Sequence, residues 1–186
     1  MKFLGLVIGL ISIASTQAGI DFTPTISERE LAGIKFKQLN FKHNGRVVTY
    51  EQPKGWKYSG GGNSLKLNPP DVAQADAEID QVRLEAPQKL DEETVKALQA
   101  QVLASVPKDS QNVTLVSEEK NPFRINQHET YAITISYVAF GQEFQRWVLF
   151  LNLPDTQVRF RFTARKADFD KGQKAFRASL FSWKWI

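Results

Sequence analysis

The chain has 186 residues, of which 42% are hydrophobic and 24% charged, close to the average of globular proteins. This composition excludes a collagen, a disordered tail and a protein with many membrane spans. The formal net charge of +4, from 24 Lys and Arg against 20 Asp and Glu, is too small to imply a nucleic-acid partner. Because the sequence contains no cysteine, disulfides, thiol catalysis and thiolate metal sites are excluded.

Residues 1–18 have the pattern of a secretory signal peptide. Lys2 precedes an apolar run over residues 3–14, and Thr16 and Ala18 are small residues at the positions that a signal peptidase reads. An uncleaved anchor is the alternative, but this run spans only about 18 Å of helix, against about 30 Å of hydrocarbon. We expect cleavage after Ala18 and no transmembrane span in the mature chain. The absence of cysteine favours a bacterial periplasm or exterior.

The mature chain is expected to consist of a short linker and one domain. Residues 19–33 mix polar side chains with Pro24 and show no sustained periodicity, which indicates a linker. From residue 34 to residue 186, strand and helix patterns follow one another without a second linker or an internal repeat. We therefore expect a single domain over residues 34–186.

Apolar residues that alternate with polar ones predict most of the strands. Shifts in the parity of this alternation predict bulges near Lys37 and Gln38 and again near Asp80. The Asn44–Gly45 pair predicts a tight turn between the first two strands. The predicted strands cover residues 34–41, 46–51, 65–67, 77–86, 113–119, 130–137, 144–153 and 158–165.

Two helices are predicted from their start signals and apolar spacing. Asp91 is the expected N-cap of the first helix, and Pro107 ends it. Asp168 is expected to open the second helix, which carries apolar residues at helical spacing. The predicted core contains Trp56, Val95, Leu98, Val102, Tyr131, Ile133, Ile135, Trp147, Leu149, Phe160, Phe162, Phe169, Phe176 and Leu180.

This order of strands and helices predicts an α+β domain in which helices pack on both faces of one antiparallel sheet, an α/β/α sandwich. Several features also occur together in a known family: Pro53, Gly55 and Trp56, the strand pair over residues 131–151, the strand over residues 158–164, and Phe169, Phe176, Ser182 and Trp183 in the last helix. On these residues the chain resembles the PsbP-like fold group, which includes periplasmic DcrB-type proteins.

The resemblance implies a PsbP-like fold and a protein that binds partners rather than one that catalyses a reaction. DcrB-type members resemble lipoproteins, whereas no cysteine follows the leader of this chain to carry a lipid. Because one fold hosts many functions, the function has to be argued from the residues of a site.

The strand over residues 158–165 places Arg159, Arg161 and Arg165 on one face with Thr163. Successive residues on one face of a strand are about 6.6 to 7 Å apart, so the guanidinium groups form a row. We hypothesise that this row is a docking surface for an acidic protein or an anionic lipid headgroup. The alternative is a solvated sheet face, or arginine stems that lie over a neighbouring helix.

Trp56 and Tyr58 form a weaker candidate for a ligand-binding face, beside the flexible glycines at residues 60–62. Aromatic residues next to a Pro-Gly turn also cover a hydrophobic core, and this is the alternative.

His128 and Glu129 are a weak candidate for a surface metal site. Adjacent strand residues point to opposite faces, so both side chains reach one metal only at a bulge. The other histidine, His43, is expected to be a solvated residue of the Asn44–Gly45 turn. Neither histidine stands in a hydrolase or phosphate-loop motif.

Together these features favour an exported, non-enzymatic domain that binds a protein or an envelope component. A carrier of a small ligand, with a cleft between the sheet and the helix over residues 91–105, is the alternative, and an enzyme is the third interpretation. We expect no cofactor and no nucleic-acid partner.

Overall fold

The computed structural model describes residues 19–70 and 72–186, and the predicted signal peptide lies outside the described residues. The elements in chain order are β1 (Ile20–Leu31), β2 (Ile34–His43), β3 (Arg46–Tyr50), β4 (Lys57–Gly61), β5 (Ser64–Asn68), β6 (Asp76–Arg83), α1 (Glu92–Ala104), β7 (Gln111–Lys120), β8 (Thr130–Ala139), β9 (Gln142–Asn152), β10 (Thr156–Arg165), α2 (Lys166–Ser179), a 3₁₀ turn (Leu180–Ser182) and β11 (Lys184–Trp185).

The strands form two antiparallel sheets, one more than the sequence predicted. The small sheet has the order β1-β2-β3-β11, and the large sheet has the order β4-β5-β6-β10-β9-β8-β7. The β2–β3 hairpin turns at Asn44 and Gly45, as expected, and both residues have positive φ, at 48° and 76°. Phe41 and Val48 of this hairpin are buried in the core, so the hairpin lies over the large sheet instead of extending it.

The prediction of a linker over residues 19–33 is wrong, because β1 pairs with β2 over most of its length. Ile20 and Phe22 are buried. The Ile20 amide donates to Gln81 Oε1 at 2.7 Å, and Gln81 Nε2 donates to the Ile20 carbonyl at 2.5 Å. In the part of β1 after Pro24, the described side chains are exposed. This part of the strand therefore lacks the alternation of buried and exposed residues by which strands are predicted.

The bulges predicted at Lys37 and at Asp80 are not found there. β2 pairs with β1 without a shift across Lys37, and β6 pairs with β10 without a shift across Asp80. Ile34 and Val82 caused the apparent changes of parity, and both are exposed, so neither belongs to the buried face of its strand.

The buried apolar residues fall into two clusters, because neighbouring residues of a strand point to opposite faces of a sheet. Trp147 of β9 belongs to one cluster and Val148 to the other. We name the first the α2 cluster, since it contains Phe169 and Phe176 of α2, together with the buried residues of the small sheet. The second is the α1 cluster, which contains Leu98 and Val102 of α1. All the predicted core residues are buried except Val95, which is half-buried.

Local signals explain how both helices are placed. Asp91 caps α1 as predicted, because its Oδ1 accepts a hydrogen bond of 2.9 Å from the Thr94 amide. α2 begins at Lys166, two residues before the predicted start. At Gly172 a Cβ atom would lie 2.2 Å from Phe162 Cζ, so only glycine permits this approach of α2 to β10.

Candidate functional site

Two members of the predicted arginine row face carboxylates of β6. The antiparallel register places Arg159 opposite Asp80 and Arg161 opposite Glu78. Arg159 Nε donates to Asp80 Oδ1 at 2.5 Å, and Arg161 Nη2 donates to Glu78 Oε2. The row therefore has its counter-charges on the adjacent strand.

Burial and pairing leave the row with less free charge than the sequence suggested. The Arg159 and Asp80 side chains are only 24% and 12% exposed. Burial raises the pKa of Asp80, and the hydrogen bond and charge of Arg159 oppose that shift. Arg165 has a neutral partner, since its Nε donates to Gln74 Oε1 at 2.8 Å. A docking surface for an acidic partner at this row stays a prediction.

Trp56 belongs to the hydrophobic core. Its ring is 7% exposed and stacks on Phe176 at 6.1 Å between centroids, with an interplanar angle of 11°. Tyr58 is half-buried against the α2 cluster. The positions of these side chains therefore agree with a cover of the hydrophobic core and not with an open ligand-binding face.

The structure separates His128 from Glu129. Glu129 Oε1 lies 3.9 Å from Arg124 Nη2, whereas the His128 ring turns towards Trp185. Within residues 19–70 and 72–186, no three His, Cys, Asp or Glu side chains are grouped closely enough to hold a metal ion.

Both histidines of the chain lie next to Trp185. Trp185 Nε1 donates to His43 Nδ1 at 2.7 Å. The ring centroid of Trp185 lies 6.0 Å from that of His43 and 6.4 Å from that of His128. Pairing of β11 with β3 brings Trp185 to this position beside the β2–β3 turn.

These three rings line an open cleft of about 720 Å³, which we name the Trp185 cleft. It combines an aromatic ring, two amides, a carboxylate and a guanidinium. The other lining residues are Asn44, Arg46, Asn126, Leu153, Pro154 and Asp155. Its volume lies within the range of about 300–1,000 Å³ that is usual for ligand sites.

The electrostatic surroundings favour a neutral His43. Burial lowers the pKa of His43, the Asp155 carboxylate opposes this shift, and Arg46 adds to it. Because His43 Nδ1 accepts the indole hydrogen bond, the neutral ring carries its proton on Nε2. The indole–imidazole hydrogen bond therefore fixes the orientation of the Trp185 and His43 rings relative to each other.

The space between α1 and the large sheet is much smaller. A void of about 40 Å³ lies among Val102, Val148, Phe150 and the two paired arginines. A pocket of this size holds only a few water molecules. Under the middle of α1 the space is thus too small for the cleft that a small-ligand carrier needs, whereas a pocket of about 340 Å³ lies at the start of the helix, lined in part by Leu90, Asp91 and Asn152.

The assignment of His43 to a solvated turn is wrong, because the residue is half-buried and bonded to Trp185. One signal in the sequence points to this position. His43 has the same parity in β2 as the buried residues Leu39 and Phe41, so alternation places it on the same face. The approach of Trp185 has no local signal, since 142 residues separate it from His43.

No protein-family model matches the sequence, and no curated protein matches it significantly. Among solved structures, the chain is similar in fold to LpqN, described as involved in cell envelope biogenesis of Mycobacterium tuberculosis. The two share 10% sequence identity with a TM-score of 0.53, over 87% of this chain and 91% of LpqN. A protein from Bacteroides thetaiotaomicron matches over 71% of this chain and 43% of its own length, with 14% identity and a TM-score of 0.47. The chain thus spans less than half of the Bacteroides protein, and these identities show similarity of fold alone.

No helix within the described ranges is both long enough and apolar enough to cross a membrane.

Proposed function

We propose that this protein is an exported, non-enzymatic domain of PsbP-like architecture, with α1 and α2 on opposite faces of the large sheet, that binds a glycan component of the cell envelope in the Trp185 cleft. The signal-peptide pattern of residues 1–18 supports export. The fold similarity to LpqN, described as involved in cell envelope biogenesis, supports an envelope setting. The choice of ligand rests on the chemistry of the cleft.

The observation that carries this proposal is the combination of one half-exposed indole with planar polar side chains. A sugar ring offers an apolar face of C–H groups, which packs on an aromatic ring, and hydroxyls around its edge that both donate and accept hydrogen bonds. Trp185 supplies the aromatic surface. Asn126 supplies both donors and acceptors, Arg46 donates, and Asp155 accepts.

Two side chains of the cleft that are suited to proton transfer, His43 and Asp155, already hold hydrogen bonds, and this favours binding over catalysis. His43 Nδ1 accepts from the Trp185 indole instead of facing a nucleophile. Asp155 Oδ1 accepts a hydrogen bond of 3.1 Å from the Thr156 hydroxyl. These contacts orient groups for recognition, whereas acid–base catalysis needs a histidine whose reactive nitrogen is free.

A protein partner at the arginine row and a carrier cleft under α1 have less support. Arg159 and Arg161 already have carboxylate partners on β6. The pocket under the middle of α1 has about 40 Å³, room for a few water molecules only.

Co-sedimentation of the mature protein with purified peptidoglycan sacculi tests the proposal, and titration with soluble N-acetylglucosamine oligomers gives the affinity. Trp185→Phe removes the indole N–H and part of the stacking surface, and Asp155→Asn removes the acceptor charge. We expect each variant to bind about tenfold more weakly, which corresponds to the loss of one good contact. Asp170→Asn, at an exposed position of α2, is the matched control and should bind like the wild type.

Failure of the wild type to bind either glycan would overturn the proposal. So would unchanged affinity in both cleft variants, because the binding would then lie elsewhere on the surface.

A further inference from the structure

A second cleft has a buried arginine at its base. Arg146 of β9 is 9% exposed. Its Nε donates to Thr163 Oγ1 at 3.1 Å, and its Nη1 donates to the Ser105 carbonyl and hydroxyl at 2.5 and 2.9 Å. These bonds fix the plane of the guanidinium between β10 and the end of α1.

The charge of Arg146 is only partly compensated. Among the described residues no carboxylate lies within 4.0 Å of it, whereas Arg159 and Arg161 each have one. Ser105 is the C-cap of α1, and a helix C-terminus carries about half a negative charge. Within the described residues Nη2 has one hydrogen-bonding contact, with the Tyr137 hydroxyl at 3.5 Å, beyond a good hydrogen bond, and the guanidinium lies 5.6 Å from the centroid of the Tyr137 ring. One end of the guanidinium therefore keeps charge and donor capacity.

The surroundings of this end are aromatic. The open cleft has a volume of about 230 Å³ and is lined by Pro107, Tyr137, Phe140, Phe144, Arg146 and Thr163, with Gln74 and Asp76 at its rim. The Tyr137 and Phe144 rings stack at 5.7 Å. Burial raises the pKa of Tyr137, so its hydroxyl keeps its proton and remains a donor beside Nη2.

Phe140 provides an independent observation. It is 86% exposed, and its φ of 52° lies in the left-handed region, at the turn between β8 and β9. Glycine, asparagine or aspartate is preferred at such a position, and a bulky residue is strained there. The strain lowers stability, and a ring that stays exposed does nothing to offset it. Residues held in a strained backbone conformation cluster at ligand sites. There the side chain gains a contact with the ligand that the free protein lacks.

We propose that this cleft, which we name the Arg146 cleft, binds a small organic carboxylate with an apolar body. The carboxylate accepts hydrogen bonds from Arg146 Nη2 and the Tyr137 hydroxyl. The apolar body lies between Phe140 and Phe144. The Asp76 carboxylate also lines the cleft and repels anions, so it disfavours the phosphate dianion more than a monoanion. The inference concerns a site separate from the Trp185 cleft and does not rest on the glycan proposal.

Hexanoate is a suitable probe, because it combines a single carboxylate with a short apolar chain. It is titrated into the isotope-labelled mature protein, and amide chemical shifts are followed by NMR. We expect saturable shifts confined to the ends of β8 and β9 and the residues after α1. Hexan-1-ol, which lacks the charge, and acetate, which lacks the chain, should each bind at least about tenfold more weakly, and so should inorganic phosphate.

Two variants locate the binding. Arg146→Gln should abolish the saturable shifts, but it also removes bonds to Ser105 and Thr163 and is a risk to folding. Phe140→Gly avoids that risk, since glycine suits the positive φ, and should weaken hexanoate about fivefold or more while the fold is kept. Phe181→Ala, at an exposed phenylalanine outside the cleft, is the matched control and should leave affinity unchanged.

Absence of saturable hexanoate binding, or equal affinity for hexanoate and hexan-1-ol, would overturn the proposal. The same holds if Phe140→Gly binds hexanoate as tightly as the wild type.

Discussion

The two core clusters share the strands of the large sheet but differ in chemistry. The α2 cluster is dense in aromatic rings: Trp183 alone has the rings of Phe22, Phe41, Tyr50 and Phe160 within 6.4 Å. The α1 cluster is smaller and is bordered by charged groups. Arg159 lies beside Phe150 and Arg161 beside Val148, and Arg146 belongs to the same face.

Because of this difference, we expect the α2 cluster to contribute mainly to stability and the border of the α1 cluster to contribute to the recognition of ligands. Burial of an aromatic side chain stabilises a fold without further conditions, whereas a buried charge destabilises it unless a partner compensates it. Carboxylates compensate Arg159 and Arg161, while a helix end and two hydroxyl-bearing residues hold Arg146. An external anion therefore gains the most electrostatic stabilisation at the border of the α1 cluster.

The largest effect is expected in the α2 cluster. Phe176 is fully buried, and replacing it with alanine should lower the free energy of unfolding by about 3–5 kcal/mol, the usual range for a buried aromatic residue. Urea denaturation measures the change. Phe181→Ala is the control; because Phe181 is 64% exposed and its ring contacts only that of Phe123 among the aromatic rings described, at 5.0 Å, we expect a loss of at most about 1 kcal/mol. A loss below about 1 kcal/mol for Phe176→Ala would contradict the packing of α2.

A smaller loss is expected at the border of the α1 cluster. Arg159→Gln leaves the Asp80 carboxylate without a counter-charge, in a place where burial already disfavours that charge. Loss of one partner costs about 3–5 kcal/mol for a fully buried pair. Because the Arg159 side chain is 24% exposed, we expect about 2 kcal/mol, measured by the same denaturation.

The control for Arg159→Gln is Lys35→Gln, because the Lys35 Nζ–Glu28 Oε2 pair at 3.8 Å is exposed. It should cost less than about 0.5 kcal/mol. Equal losses in the two variants would show that burial does not strengthen the Arg159 pair.

A gain in stability is expected at the β8–β9 turn. Phe140→Gly relieves the left-handed strain but adds freedom to the unfolded chain, so the net gain is about 0.5–1 kcal/mol. Thermal denaturation at fixed protein concentration measures it. Phe140→Asn should act in the same direction, because asparagine also adopts this conformation. Destabilisation by both variants would mean that the ring packs on the domain.

The smallest effect concerns pH and the small sheet. Burial lowers the pKa of His43 below its ordinary value of 6.5, so just below that pH the unfolded chain binds the proton more readily. The free energy of unfolding should therefore fall as the pH drops through the region below 6.5, with no contribution from His43 above it. Denaturation series across this range measure the slope. His43→Gln should flatten the slope, and an unchanged slope in this variant would contradict the assignment.

The sequence predicts where the helices and strands lie better than it predicts which strands and side chains pair with one another. Alternation identifies β8, β9 and β10 and the residues that they bury, and Asp91 marks the start of α1 correctly. β1 was missed because its outer part has no buried face. The pairing of Arg159 with Asp80 depends on the register of β10 against β6, across 79 residues, and no local pattern encodes that register.

The candidate sites show the same limit. Arg146 directly precedes the apolar run over residues 147–151 of β9, but its lack of a carboxylate partner follows only from tertiary structure. His43, Asp155 and Trp185 come from three distant parts of the chain. Each is unremarkable alone, and only the docking of the small sheet makes them a cleft.

The pairing of β11 with β3 has a consequence for the order of folding. The β8–β9 hairpin closes over a two-residue turn, whereas Lys184 reaches Thr49 only by closing a very long loop. Because the entropic cost of closure grows with loop length, distant pairings form late. We expect amides of β8 to gain protection from hydrogen exchange before the Trp185–His43 hydrogen bond exists. Trp185 then becomes ordered in the final step, so a chain with a formed core still lacks a finished Trp185 cleft.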